Sequence, residues 1–120
     1  MYQIEKYTTS TGECPIDDFI EELNKAGQKK QVDKIDAYVR LLKEMGLNIL
    51  SNSHWAKDLE DGIYELRPKS NRILFTSVEN KQKFVLLHGF KKKTQKTPPC
   101  EIERAKKERN NYRRNSWNEN

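Results

Sequence analysis

Residues 62–90 read GIYELRPKSNRILFTSVENKQKFVLLHGF, and the division of this stretch decides the fold. Ile63 to Arg67 is an extended run, Pro68-Lys69-Ser70-Asn71 has turn chemistry, and Arg72 to Glu79 is a second extended run. Asn80-Lys81-Gln82 supplies another turn before a third strand, Lys83 to Phe90. Phe84-Val85-Leu86-Leu87 is apolar on both alternating faces, so the third strand is expected to be central and covered. Short connections make the three an antiparallel meander.

Upstream of this stretch the apolar period is helical. Tyr2 to Thr8 favours a first strand and Thr11-Gly12-Glu13 a turn. Pro15 suits the first position of a helix, with Asp17 and Asp18 in the turn where the helix dipole favours negative charge. Ile16, Phe19, Ile20 and Leu23 recur at helical spacing up to Gly27. From Gln28 to Met45, the stripe Val32, Ile35, Val39, Leu42 and Met45 predicts a second helix, flanked by Tyr38 and Leu41. Ser51 to Gly62 reads as a polar loop. Downstream, Pro98 and Pro99 end the meander, and Glu101 to Arg114 predicts a charged helix with Ile102, Ala105 and Tyr112 as its apolar anchors. Residues 115–120 are expected to form a flexible tail.

The fold class this predicts is α+β: an N-terminal strand, a two-helix hairpin packed on a curled antiparallel sheet, and a C-terminal helix. A length of 120 residues suits a single domain over 1–120. Cys14 and Cys100 lack metal-ligand spacing, and two thiols suit a reducing compartment. The N-terminal residues lack the apolar run of a secretion signal, and no stretch is long enough to span a bilayer. A cytoplasmic protein with no membrane association is expected. There is no phosphate-cradling glycine loop, dinucleotide fingerprint or nucleophile elbow, so neither a metal nor a cofactor is expected.

The net charge is +5, and Lys91 to Arg114 carries ten Lys and Arg against three Glu. Such a stretch attracts a polyanion or forms a solvated helix face. Strand order gathers Arg67, Arg72 and the run Lys91, Lys92, Lys93 at one end of the sheet. Cleavage of RNA by its own 2′-OH builds negative charge on phosphate oxygens, and arginine binds such oxygens through paired hydrogen bonds. Fixed cations around that charge stabilise the transition state. A proton must also be taken and another given. His54 is the natural candidate because histidine is the residue type whose unperturbed charge change falls near neutral pH; Glu65 is another. Trp55 and Phe90 could stack on single-stranded bases or pack in the core. Against these stand the structural readings. Lysines protect exposed strand ends, Arg67 and Arg72 could pair with Glu65 or Glu79, and His88 could be a satisfied packing histidine.

The strings Leu59-Glu60-Asp61-Gly62-Ile63-Tyr64-Glu65-Leu66-Arg67, Asn71-Arg72-Ile73-Leu74-Phe75 and Leu87-His88-Gly89-Phe90-Lys91-Lys92-Lys93-Thr94-Gln95-Lys96-Thr97-Pro98 resemble the phage-derived HigB-like branch of the RelE toxin superfamily. The N-terminal strand and helices agree in kind rather than in letters. The resemblance implies a RelE-like fold and the toxin of a type II toxin–antitoxin pair, a ribosome-dependent endoribonuclease that cuts mRNA and arrests growth. It implies as partners a cognate helix-turn-helix antitoxin (HigA-like), the ribosome and mRNA. Its sites carry over as Arg67, Arg72 and the run Lys91 to Lys93, with His54 and Lys57 in the loop where some relatives place an acid–base residue and a basic one. With the residue reading above, the candidate catalytic residues are Arg67, Arg72, Lys92, Lys93 and His54, and the candidate RNA-binding residues are Lys57, Lys91, Lys96, Trp55 and Phe90. This chain departs from some relatives in having a carboxylate, Glu65, on a strand where they carry lysines, and Thr97 roughly where they carry a tyrosine. The alternatives are a non-catalytic RNA- or partner-binding domain of the same fold and a gyrase-targeting toxin.

Overall fold

A computed structural model describes residues 1–118 of the chain. Five strands form one sheet in the order β1-β5-β4-β3-β2, with β1 Gln3–Lys6, β2 Ala56–Glu60, β3 Ile63–Leu66, β4 Asn71–Val78 and β5 Lys83–Lys91. The helices are α1 Pro15–Lys25, α2 Lys29–Met45 and α3 Pro99–Asn118, and a 3₁₀ turn, Gly46–Ser51, follows α2. The α+β architecture expected from the sequence is present and is consistent with a RelE-like fold.

The meander sits where its turns predict. β3–β4 and β4–β5 are antiparallel, and Asn71 lies opposite Lys91 at the end where the cations gather. β5 lies inside the sheet between β1 and β4, and Phe84, Val85, Leu86 and Leu87 are all buried. Two features go beyond the sequence reading. β1 runs parallel to β5, which makes the sheet mixed. The segment read as a polar loop contains β2, which pairs with β3 through Ala56↔Leu66 and Lys57↔Glu65. The hairpin between them turns on Asp61 and Gly62, with φ of 52° and 80°. Two successive positive φ values match the right-handed twist of the strands, and Asp-Gly is well suited to adopt them.

The sheet is covered on both faces. On one, α1 and α2 bury Ile16, Leu23, Ile35 and Leu42 against Leu66, Ile73, Phe75 and Phe84. On the other, Ala105 of α3 packs with Tyr7, Ile63, Leu74, Val85 and Leu87. α3 is longer than its sequence pattern predicted and has few apolar anchors. It is held instead by polar contacts. His88 Nδ1 lies 2.6 Å from Glu108 Oε1, and His88 Nε2 lies 3.0 Å from Glu101 Oε1. Arg109 bonds the Asp61 carbonyl, and the Tyr112 hydroxyl donates to Glu5 at 3.0 Å. Glu5 also pairs with Lys83, whose ammonium that contact raises well above its ordinary pKa. The helix runs on to Asn118; of the tail expected at 115–120, the last two residues lie outside the described residues. The side chain of Trp117 also lies outside them.

Gly89 in β5 is where α1 meets the sheet most closely. A Cβ built there would stand 2.6 Å from the Phe19 ring and 2.8 Å from Ile73 Cδ1. Phe19 meets it with a rigid ring and Ile73 is fully buried, so overpacking is the expected result of Gly89→Ala, with a loss of about 1–3 kcal/mol. Urea unfolding checks this. An unchanged midpoint would mean that the ring shifts without cost.

A cationic candidate active site

β3 and β4 are joined by a turn in which the Lys69 N–H bonds the Arg67 carbonyl at 2.8 Å and the Asn71 N–H bonds the Pro68 carbonyl at 3.2 Å. Pro68 presets its own φ, and Lys69 is held at a φ of 62°. This turn brings Arg67 and Arg72 to the same end of the sheet. The segment after β5 is fixed beside it by a 2.7 Å bond from the Lys92 N–H to the Ser70 carbonyl.

Between these segments lies an open cleft of about 430 Å³, lined by Tyr38, Ser53, His54, Arg67, Lys69, Arg72, Lys92 and Gln95. Its size falls in the range of small-ligand sites, about 300–1,000 Å³. Four of the residues singled out in the sequence therefore meet: Arg67, Arg72, Lys92 and His54. His54 is exposed at the rim, and its own N–H is held by Asn52 Oδ1 at 2.9 Å.

Both arginines are anchored from behind. Arg72 is 6% exposed. Its Nη1 donates to the carbonyls of Lys69 and Asn71, each at 2.8 Å. Arg67 Nη1 donates to the Ser53 carbonyl at 2.9 Å, which ties the loop bearing His54 to the sheet. Glu65, 1% exposed, sits beneath the pair. Its Oε2 is 3.5 Å from Arg67 Nε and 3.9 Å from Arg72 Nε. The Thr97 hydroxyl donates to Oε1 of the same carboxylate at 2.5 Å. The sequence alternatives for these residues thus resolve into one arrangement. The arginines pair with Glu65 rather than Glu79, yet Arg67 and Arg72 still line the cleft. Burial pulls the Arg72 guanidinium below its ordinary pKa; the Glu65 carboxylate opposes this, and the nearby Arg67 charge adds to it. An arginine so buried keeps its proton at neutral pH.

The lysine run divides. Lys92 lines the cationic cleft, whereas Lys91 and Lys93 line a separate cleft with Phe90, Phe19 and Leu23. Lys57 is exposed on β2 opposite Glu65, and Lys96 is exposed in the segment before α3; neither lines the cleft. Trp55 packs half-buried against the α1–α2 side of the core. Phe90 packs against the α3 side, with its ring centroid 6.0 Å from that of His88. His88 is fully buried with both ring nitrogens facing carboxylates, as a satisfied histidine.

Sequence reasoning missed Tyr38, Ser53, Lys69 and Gln95. Tyr38 carried a usable signal. It stands beside the stripe Val32, Ile35, Val39 and Leu42 rather than in it, so α2 turns its phenol toward the rim of the core. Lys69, a non-glycine residue held in the left-handed region, is a strained position of the kind that clusters at functional sites.

No curated protein matches the chain in sequence. Residues 18–110 match the family described as Phage derived protein Gp49-like (DUF891), a span that runs from the first turn of α1 to the middle of α3 and contains the whole cationic cleft. The chain therefore belongs to the Gp49-like family of phage-derived, toxin-like proteins, which is related to the RelE-type toxins.

Proposed function

We propose that the protein is the toxin of a type II toxin–antitoxin system of the HigB kind, a metal-independent endoribonuclease that cuts mRNA on the ribosome in the cytoplasm. The observation that carries this reading is the convergence of Arg67, Arg72 and Lys92 on one cleft, with two of the three cations fixed by a buried carboxylate. Side chains held in place before the substrate arrives lose little entropy on binding it and stabilise developing charge without reorganising.

In this mechanism the scissile phosphate sits against Arg67 and Arg72, and Lys92 approaches from the segment after β5. The 2′-OH attacks the phosphorus, the bond to the 5′-oxygen breaks, and the products are a 2′,3′-cyclic phosphate and a 5′-hydroxyl. His54, at the exposed rim, takes or gives the proton. Lys69 and Gln95 hold the flanking phosphates or bases, and Tyr38 offers a ring for stacking. The nucleophile belongs to the substrate, so the reaction needs no metal. The partners are the ribosome with its mRNA and a cognate HigA-like helix-turn-helix antitoxin.

A second reading has one observation in its favour. Arg72 is nearly buried, and part of its charge is spent on Glu65. A domain that docks on RNA or on a partner without cutting would tolerate that arrangement. A translating extract separates the two. The nuclease reading expects transcripts cut only while they are being translated, with 2′,3′-cyclic-phosphate and 5′-hydroxyl ends. RNA affinity that falls steeply with salt, without cleavage, would replace it with the binding domain.

A further inference from the structure

The outer half of β5 has a strand neighbour on one side only. Pairing with β1 ends at Lys6↔Leu86, and the last bond of that ladder runs from the Tyr7 N–H to the Leu86 carbonyl at 2.9 Å. The chain then turns away through Thr9, whose N–H bonds the Glu13 carbonyl. From His88 to Lys91, β5 pairs with β4 alone among the described residues.

Backbone direction follows from the alternation of a strand. The Leu86 carbonyl points outward, to β1. The Lys92 N–H points inward, to Ser70 beside β4. Counting back from Lys92, Phe90 points inward while Gly89 and Lys91 point outward. The change of phase between Leu86 and Gly89 is the bulge at Leu74/Phe75, where β5 carries Leu87 as an extra residue. Gly89 and Lys91 thus present their N–H and C=O groups to an open lane that continues the line of β1.

This lane has walls. A cleft of about 630 Å³ opens between the end of α1 and the start of α3, with Phe19, Leu23, Ala26, Phe90 and Pro98 as its apolar lining. A second, of about 430 Å³, continues toward the start of α1, and Gly89 borders both. The ends of the lane differ in charge. The first cleft holds Lys91 and Lys93 with Glu22 and Glu101; the second holds Glu13, Asp18, Glu22 and Glu108 against Arg104. Exposed strand edges are normally blocked in native proteins, and this one is recessed between two helices rather than blocked.

We propose that the free edge of β5 is a docking site for an extended segment of a protein partner, which adds as a strand at Gly89 and Lys91. Its alternate apolar side chains contact Phe19 on the α1 side and Phe90 on the α3 side. Its acidic end lies beside Lys91 and Lys93. The proposal does not depend on the chemistry assigned to the cleft at Arg72.

The test uses the full chain and ten-residue peptides of alternating threonine and valine that carry two aspartates at the N-terminal end, at the C-terminal end, or neither. Amide exchange is followed residue by residue. One acidic-ended peptide is expected to slow exchange at Gly89 and Lys91 at least tenfold while leaving Phe90 unchanged, and to bind at least threefold tighter than the uncharged peptide. Lys93→Glu should remove that preference. Lys91→Pro removes an outward N–H without touching the β4 ladder, and should abolish binding in a folded protein. The proposal is overturned if no peptide protects these amides, or if N-methylated peptides bind equally well. It is also overturned if the protein alone forms a dimer that already protects them, which would make a second copy the occupant.

Discussion

The Arg72→Ala variant is expected to lose RNA cleavage by about 100- to 1,000-fold, the usual cost of removing one fixed group that stabilises transition-state charge. Growth arrest on expression should disappear with it. The side chain has two jobs, so the variant must be read with a stability measurement. It caps the carbonyls of Lys69 and Asn71, and it shares the buried Glu65 carboxylate with Arg67 and Thr97. Losing the caps should cost about 1–3 kcal/mol, because each carbonyl gives up a charge-assisted bond. Arg67 and Thr97 remain on Glu65, so the fold survives. Arg72→Lys keeps the charge but cannot hold a phosphate through two parallel bonds while capping the turn, and should fall between wild type and Ala. A soluble, cooperatively folded Arg72→Ala protein that still arrests growth fully would end the nuclease reading.

The largest stability effect is expected at His88→Leu, a loss of about 3–5 kcal/mol, the cost of breaking a buried charge pair by removing one partner. Both ring nitrogens of His88 lie within hydrogen-bonding distance of a glutamate side-chain oxygen. Removing the ring leaves Glu108, only 10% exposed, with Arg104 as its remaining partner, and leaves Glu101 facing leucine. The total stability of a domain is about 5–15 kcal/mol, so a large share would be lost. α3 should loosen first, since these contacts replace the apolar anchors it lacks. Thermal unfolding measures the loss, and the double variant His88→Leu, Glu108→Leu should recover part of it by removing the stranded charge. If the single variant unfolds at the wild-type temperature, the histidine is not what holds the helix.

Most of the fold was legible along the chain. The alternation in residues 62–90 placed three strands, and the stripes in α1 and α2 placed two helices, because those patterns record which face of a local element is buried. β2 was not legible by the same means. Ala56-Lys57-Asp58-Leu59-Glu60 contains no β-branched or aromatic residue, and its pairing with β3 supplies what its propensity does not. Asp61-Gly62 was the available signal, a hairpin turn that implies a strand on each side. The candidate site was half legible. Arg67, Arg72 and Lys92 followed from strand order. The separation of Lys91 and Lys93 from Lys92 did not, because consecutive side chains near a strand end point to opposite sides.

Taken alone, the amino-acid order determined the element types, the α+β class and the end of the sheet where cations gather, since each depends on periodicity over neighbouring residues. Only the tertiary structure decided that β1 lies parallel beside β5, that Glu65 sits beneath two arginines, and that Tyr38 reaches the same cleft from a helix. These contacts join residues far apart in the chain. Their free energy depends on how all the layers pack together, and no local pattern records it.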